Sequence, residues 1–157
     1  MQIRRAKQTD IDGINFLLRQ VLEIHAEGRP DIFIKGRKKY SDAELKDIIA
    51  DDVTPIYVAA DDDGRILGYA FCIYQITKNN SILRDRKTLY IDDLCVDEAC
   101  RGRHIGTALF EYVKGVSEAN GCDSITLNVW SLNETAMKFY EKCGFTPLKT
   151  VMEKKLK

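Results

Sequence analysis

The sequence lacks an excess of charge of either sign, because its 157 residues carry 24 basic and 24 acidic side chains. Balanced charge gives no general attraction to nucleic acid or to an anionic membrane, so neither is expected as a partner. The chain also lacks an apolar run of the roughly 20 residues needed to cross a bilayer, and its start lacks the apolar core of a signal peptide. We therefore expect one cytoplasmic domain, residues 1–157, with a sizeable core.

Also absent is any Cys-x-x-Cys pair, and the cysteines number five, which is odd. Three of them, Cys72, Cys95 and Cys122, lie in or beside stretches that read as buried strands. We interpret the cysteines as reduced thiols of a core, with zinc ligation or disulfides as remote alternatives. No metal is implied.

Hydrophobic periodicity and turn residues predict the order β-α-α-β-β-β-α-β-α-β-β, a mixed α/β fold with a crossover βαβ unit. Capping boxes at Thr9 with Asp12 and at Ser131 with Glu134 predict the starts of the first and last helices, and Ser41 precedes a second short helix. Residues 29–40 are predicted to form a loop. The predicted strands are 2–7, 55–60, 67–76, 89–96, 124–130, 145–150 and 151–156.

The rest of the chain is organised around residues 89–116, which read as a buried strand, a basic turn with glycines, and a helix. At a helix start the first N–H groups lack partners, and the dipole together with two arginines favours an anion. Phosphate is the expected anion. Neither Gly-x-x-x-x-Gly-Lys-Ser/Thr nor Gly-x-Gly-x-x-Gly with a following acid is present, so the common phosphate loops do not apply.

The turn, Arg101-Gly102-Arg103-His104-Ile105-Gly106, resembles the Arg/Gln-x-x-Gly-x-Gly/Ala segment of the GCN5-related N-acetyltransferases (GNAT), which holds the pyrophosphate of acetyl-CoA. His104 departs from that pattern, because it stands where the first motif glycine is expected. Its N–H is retained, since only proline would remove it. We expect the substitution to lose close backbone approach and any positive φ at this position.

Residues 133–145 resemble a second block of the family, Asn-x-x-Ala-x-x-Phe-Tyr-x-x-x-Gly-Phe. The resemblance covers most of residues 56–157, whereas the helical segment 9–52 matches only in placement. It implies a GNAT-like acyl-CoA N-acyltransferase fold. In that fold a central, mostly antiparallel sheet is flanked by helices and contains a parallel, splayed pair of strands, here 89–96 and 124–130.

The resemblance also implies that acetyl-CoA is the cofactor, with CoA as product, and which residues contact it. The backbone of one strand would pair with the cofactor's pantetheine arm as an added strand would. One of its N–H groups would meet the thioester oxygen. The expected cofactor-binding residues are Leu94, Cys95, Val96, Arg101, Gly102, Arg103, His104, Ile105, Gly106, Thr107, Asn128, Asn133 and Tyr140.

Tyr140 is the expected catalytic acid. It shares a helix face with Asn133 and Ala136, and in the resemblance its hydroxyl reaches the sulfur, where it would protonate the leaving thiolate. The alternative is a tyrosine that packs beside Phe139 with its hydroxyl satisfied elsewhere.

Asp92 is the expected catalytic base. Strand alternation puts it on one face with Tyr90, Leu94 and Val96, the face on which family members often carry a glutamate base. Because aspartate is short, it would act through water. A purely structural, hydrogen-bonded Asp92 is an equal alternative, and Asp93 is expected to be structural on the opposite face.

The acceptor is expected to contact His25, Phe33, Tyr90 and Asp92. His25 is a second candidate for the base, although a histidine on a helix stripe is more often a core or edge residue. The basic segment 29–39 could recognise an acidic substrate, although such runs are usually just solvated.

Together these residues predict a direct acetyl transfer from acetyl-CoA to a primary amine of a small molecule or of a protein or peptide. Polyamines, amino acids, aminoglycoside-like amines, protein N-termini and lysines stay open as acceptors, and a homodimer is suggested because dimers are frequent in the family. One alternative is a non-catalytic acyl-CoA sensor; another is an interaction module without a cofactor. A covalent route through Cys95 is disfavoured because alternation turns its side chain away from the acceptor face.

Overall fold

The computed structural model describes residues 1–157, which form one five-stranded sheet with helices on both faces. The strands lie in chain order across the sheet. The elements are β1 Gln2–Arg5, α1 Ile11–Gly28, α2 Asp42–Ala50, β2 Ile56–Ala60, β3 Ile66–Thr77, β4 Arg86–Val96, α3 Ile105–Ala119, β5 Ser124–Leu127 and α4 Glu134–Lys142, with short 3₁₀ turns at Gln8–Asp10 and Glu98–Cys100.

β1 to β4 pair antiparallel, and α3 is the crossover that makes β5 parallel to β4. The β4–β5 ladder runs from Thr88 opposite Ser124 to Ile91 opposite Leu127 and ends there. Residues 92–96 therefore have a strand partner on one side only. This confirms the predicted mixed sheet and its splayed parallel pair.

The core fills both faces of the sheet. On one face, α1 and α2 bury Ile14, Leu17 and Leu45 completely against β2 and β3. On the other, α3 buries Leu109 and Val113 against β3 and β4. Burying each such side chain contributes about 1.5–3 kcal/mol, so these stripes fix the helices to the sheet. No helix combines the length and the apolar content needed to span a membrane.

A β-bulge at Asp92 interrupts β4. Phe71 of β3 faces Asp93, but the next residue, Cys72, faces Ile91, so Asp92 is an extra residue without a partner. The bulge shifts the side-chain alternation by one position. The predicted grouping of Tyr90 and Asp92 with residues 94 and 96 is therefore wrong: Leu94 packs on the α3 side with Ile91, while Asp93 turns toward Tyr69 on the α1 side.

Two of the three predicted helix starts are corrected. Ser41 precedes α2 as predicted, and it forms a capping box with Glu44 through bonds of 3.2 Å and 2.6 Å. Asp10, not Thr9 or Asp12, organises the first start, since its carboxylate accepts from the N–H of Lys7 at 2.8 Å. In α4 the N-cap is Asn133, whose side chain accepts from the N–H of Ala136.

The two strands predicted at 145–150 and 151–156 are wrong. Residues 145–157, defined here as the tail, form no strand, and β5, which also ends earlier than predicted, stays at the edge of the sheet. Alternating apolar residues become a strand only where an edge is within reach, and the tail instead follows α1, where Glu153 pairs with Arg29. The tail leaves several large apolar side chains exposed: Leu148, Val151, Met152 and Leu156.

Candidate active site

The basic turn forms a cradle of free N–H groups at the start of α3. The backbone N–H groups of residues 102–107 donate to no acceptor within the protein. Arg101 and Arg103 are exposed, and neither pairs with an acid; the Arg103 guanidinium lies 3.9 Å from the sulfur of Cys100. Free donors, a helix N-terminus and two unpaired guanidinium groups together suit a multiply charged anion.

The expectation that His104 would lose a positive φ is wrong. His104 is the N-cap of α3 with φ +59°, and Gly102 has φ +78°. A residue with a Cβ adopts this left-handed conformation at a cost of about 1–2 kcal/mol. The turn therefore keeps the backbone shape that its amides require, and His104 bears the strain.

The cradle lies beside the open end of β4. A Cβ added to Gly106 would lie 3.4 Å from the ring of Phe139 in α4 and 3.6 Å from Val96. Ile105 is buried in the core and can offer only its backbone to a ligand, whereas Thr107 is exposed. Thus β4, α3 and α4 meet at this point.

A gap opens between β4 and β5 beyond their last pair. Leu94, Cys95 and Val96 pair with β3 on one side and have no β5 partner on the other. Across the gap, the Asn128 side chain donates to the hydroxyl of Tyr90 at 3.2 Å. The unpaired edge of β4 offers backbone donors and acceptors to an extended, amide-containing ligand.

Tyr140 projects from α4 and is 9% exposed. Its ring packs between Phe139 and Phe145, and its hydroxyl has no hydrogen-bond partner in the protein. Burial, followed by the nearby carboxylate of Asp93, raises the pKa of Tyr140. The group therefore holds its proton at neutral pH and can donate it to an anion that forms beside it.

Asp92 and Asp93 lie close to Lys39, a residue of the loop between α1 and α2. The Lys39 Nζ is 3.4 Å from Asp92 Oδ2 and 4.0 Å from Asp93 Oδ2. Asp93 also accepts a 2.8 Å hydrogen bond from the hydroxyl of Tyr69. Burial raises the pKa of Asp93 in spite of these two partners, so its carboxylate is more basic than an exposed one.

An aromatic cleft of about 120 Å³ lies between the end of α1 and the segment after β5. His25, Phe33 and Trp130 form its aromatic wall, with ring centroids 5.0 Å apart for the first pair and 5.4 Å apart for the second. Burial lowers the pKa of His25, so the imidazole is neutral at neutral pH. Asn133 also lines the cleft, but its carbonyl oxygen caps α4 and is not free.

The structure thus groups most of the predicted residues and adds three. His25 and Phe33 meet in the aromatic cleft, and residues 94–96 border the gap. The sequence included Lys39 only within the basic segment 29–39, and it indicated neither Trp130 nor the placement of Asp93 beside Lys39. Burial raises the pKa of the Cys95 thiol to about 12, which leaves it protonated and weakens the covalent route.

Comparisons with known proteins agree with this geometry. The model of the acetyltransferase (GNAT) family matches residues 18–145. The crystal structure of a mutant of the BH1408 protein from Bacillus halodurans superposes with a TM-score of 0.95 at 32% identity, covering 99% of each chain. The aminoglycoside N-acetyltransferase AAC(6')-Iy in complex with CoA superposes with a TM-score of 0.73, covering 99% of both chains; at 17% identity this shows the fold alone.

Similarity to a curated relative is more local. Glucosamine 6-phosphate N-acetyltransferase 1 of Dictyostelium discoideum is 36% identical over 56 residues. That match covers 36% of this chain and 34% of the relative. The chain therefore spans about a third of that protein's length, and the match does not assign that protein's substrate to this chain.

Proposed function

Because this chain belongs to the acetyltransferase (GNAT) family, we propose that it transfers an acetyl group from acetyl-CoA directly to a primary amine of a small molecule or of a protein or peptide. Family membership makes it an acetyl-CoA-dependent N-acetyltransferase by class. We take residues 1–157 to act as one N-acetyltransferase domain.

The observation that carries the proposal is the cradle at residues 102–107. Its free N–H groups, the left-handed Gly102 and His104, and the unpaired Arg101 and Arg103 fit a pyrophosphate, which has several acceptor oxygens and multiple negative charge. The β4 edge at Leu94–Val96 fits the amide groups of a pantetheine arm leading away from it. These residues would hold acetyl-CoA, which supplies the activated acetyl thioester.

The chain must then move two protons. An alkylamine has a pKa of about 10, so its ammonium form must lose a proton before its nitrogen can bond to the acetyl carbon. We assign that proton to Asp92 through water. Asp93 is a second candidate, supported by its raised pKa, and the neutral His25 is a third. When the carbon–sulfur bond breaks, Tyr140 gives its proton to the thiolate, and the second proton that the nitrogen loses as the amide forms restores Tyr140.

We further propose that the protein is cytoplasmic and forms a homodimer. All five cysteines are free, as suits a reducing compartment. The dimer is supported by two features of the same chain: an unpaired β5 edge, and a tail whose apolar residues Leu148 and Val151 are 75% and 89% exposed. A second copy can satisfy both, with the tail of one pairing along the β5 edge of the other.

Replacing Tyr140 by phenylalanine tests the assignment of the acid. Y140F should bind acetyl-CoA as the wild type does, while its rate of CoA release with an amine acceptor falls by about 10²–10⁴-fold. Tyr112→Phe, on the outer face of α3, is the matched control and should keep full turnover. Unchanged turnover in Y140F would remove Tyr140 as the acid, and wild-type binding without turnover on any amine would support the acyl-CoA sensor instead.

A further inference from the structure

The ammonium of Lys39 is held in the candidate active site by residues distant in sequence. It lies 3.4 Å from Asp92 Oδ2 and 4.0 Å from Asp93 Oδ2, and 5.3 Å above the centre of the Tyr40 ring. The neighbouring Lys38 behaves differently, because it pairs with Asp42 at the start of α2. One lysine of the loop therefore enters the site while the other stays outside it.

The surroundings of that ammonium are those that an acceptor amine needs. Two carboxylates and an aromatic ring recognise an alkylammonium through charge and cation–π attraction. The bulge at Asp92 lets consecutive carboxylates approach the same lysine. The same carboxylates are the candidates for taking the amine's proton.

A second observation also indicates that a ligand belongs here. Tyr140 is nine-tenths buried as a residue, the charge of Asp93 contributes to raising its pKa, and its hydroxyl has no partner in the protein. An acid that awaits a leaving group must be close to the amine that displaces it. The Lys39 nitrogen lies 4.0 Å from the Asp93 carboxylate, and the charge of the same carboxylate helps to raise the pKa of Tyr140.

We propose that the Lys39 ammonium occupies the subsite for the acceptor amine. The acceptor is then a primary alkylammonium that displaces Lys39 from Asp92 and Asp93. This inference rests on the proposed function. The Lys39 contact is suited to exchange. Its side chain is 40% exposed and that of Asp92 is 32% exposed, so solvent reaches the pair and the contact is weak. His25 lines the aromatic cleft, and the charges of Asp93 and Lys39 contribute in opposite directions to its pKa.

The charge state of Lys39 agrees with this role. Burial alone would lower its pKa, but Asp93, Tyr40 and Asp92 together raise it. Lys39 is therefore a cation at neutral pH. It neutralises the carboxylates while the acceptor is absent and does not compete as a nucleophile.

The test is amine binding without acetyl-CoA, in Lys39→Met and in the control Lys38→Met. Each variant is heated with n-butylammonium chloride and with sodium chloride at equal ionic strength. The increase in thermal midpoint caused by the amine should be roughly twice as large for K39M as for the wild type. K38M should respond as the wild type does. The double variant with Asp92→Asn should lose the added response. An equal response in K39M and wild type would overturn the proposal.

A second variant and a kinetic measurement test the proposal even where K39M folds less well than the wild type. In Lys39→Gln, the KM for n-butylamine should fall by roughly threefold or more, because self-occupancy lowers the apparent affinity of the wild type. An unchanged or higher KM would count against displacement. Nα-acetyl-lysine methylamide, used beside n-butylamine, separates a peptide lysine from a free amine; a response to either supports the subsite, and a response to neither overturns it.

These outcomes differ from a failure of the proposed function. Loss of acetyl-CoA binding in the wild type would end the acetyltransferase proposal but would not change the amine response of K39M. Intact turnover with no amine response in K39M and K39Q would end only the inference about Lys39.

Discussion

The hydroxyl of Tyr69 donates a 2.8 Å hydrogen bond to the carboxylate of Asp93. Tyr69 is completely buried, and the Asp93 side chain is only 14% exposed. The bond holds the carboxylate on the α1 side of the sheet, 4.0 Å from the Lys39 Nζ, and the charge of that carboxylate helps to raise the pKa of Tyr140. The position of the Asp93 carboxylate thus depends on Tyr69, which belongs to the neighbouring strand β3.

Tyr69→Phe should therefore destabilise the protein by about 1–3 kcal/mol, because a buried carboxylate loses its donor. Losing the donor also raises the pKa of Asp93, the second candidate for the base, so a role of Asp93 in taking the proton predicts an acidic limb of the activity profile at higher pH. Urea unfolding and the pH dependence of kcat/KM measure the two effects. Tyr57→Phe, a buried tyrosine of β2, is the control and should leave the pH profile in place.

Asp93→Asn should alter how stability depends on pH. The folded-state pKa of Asp93 is raised by burial above the unfolded value of about 3.9. Between those two values the folded state binds more protons, so the wild type loses stability as pH rises through that window. D93N lacks this loss, and its stability relative to wild type should increase across the same window.

Denaturant unfolding at a series of pH values decides the matter. If the unfolding free energy of D93N changed with pH in parallel with that of the wild type, burial of Asp93 would not control the pH dependence of stability in this window.

His104→Gly should relieve backbone strain. At φ +59°, glycine avoids about 1–2 kcal/mol of left-handed strain, partly offset by its greater freedom in the unfolded chain. Alanine keeps that strain, so H104G should be more stable than H104A by roughly 1 kcal/mol. Both retain the backbone N–H, and both should bind acetyl-CoA with similar affinity. H104A as stable as H104G would mean that residue 104 leaves the left-handed conformation.

Val151→Glu should weaken the proposed homodimer. An acidic side chain at this 89%-exposed position costs little in a monomer but opposes burial against a second copy. Light scattering after size exclusion should give a dimer for the wild type and a monomer for V151E. Lys154→Glu, a charge change in the same tail, is the control. A monomeric wild type would remove the dimer altogether.

The elements up to α4 could be predicted because each carries its own signal. Apolar stripes at Ile14 and Leu18 and the capping box at Ser41 depend on near neighbours in sequence. The tail strands could not be predicted reliably, because alternation at residues such as Val151 does not say whether an edge lies within reach. Within one folded chain, the tail does not pair with a sheet edge.

The candidate site, too, could be predicted only where its residues form a local motif. The cradle at residues 102–107 follows from a local motif, and so does its position before a helix. The bulge at Asp92 inserts one residue without any change in composition, so alternation placed Asp92 and Asp93 on opposite faces although both approach Lys39. Lys39 reaches Asp92 across 53 positions of sequence, a contact that only the folded chain establishes.

Thermal unfolding with and without acetyl-CoA tests the central claim most directly, with acetate and ATP as controls. A ligand at a hundred times its Kd stabilises the folded state by about 2.7 kcal/mol. The unfolding temperature should rise clearly with acetyl-CoA and should not rise with acetate or ATP. No rise at high acetyl-CoA concentration would contradict the central claim, since the cradle at residues 102–107 would then not hold the cofactor.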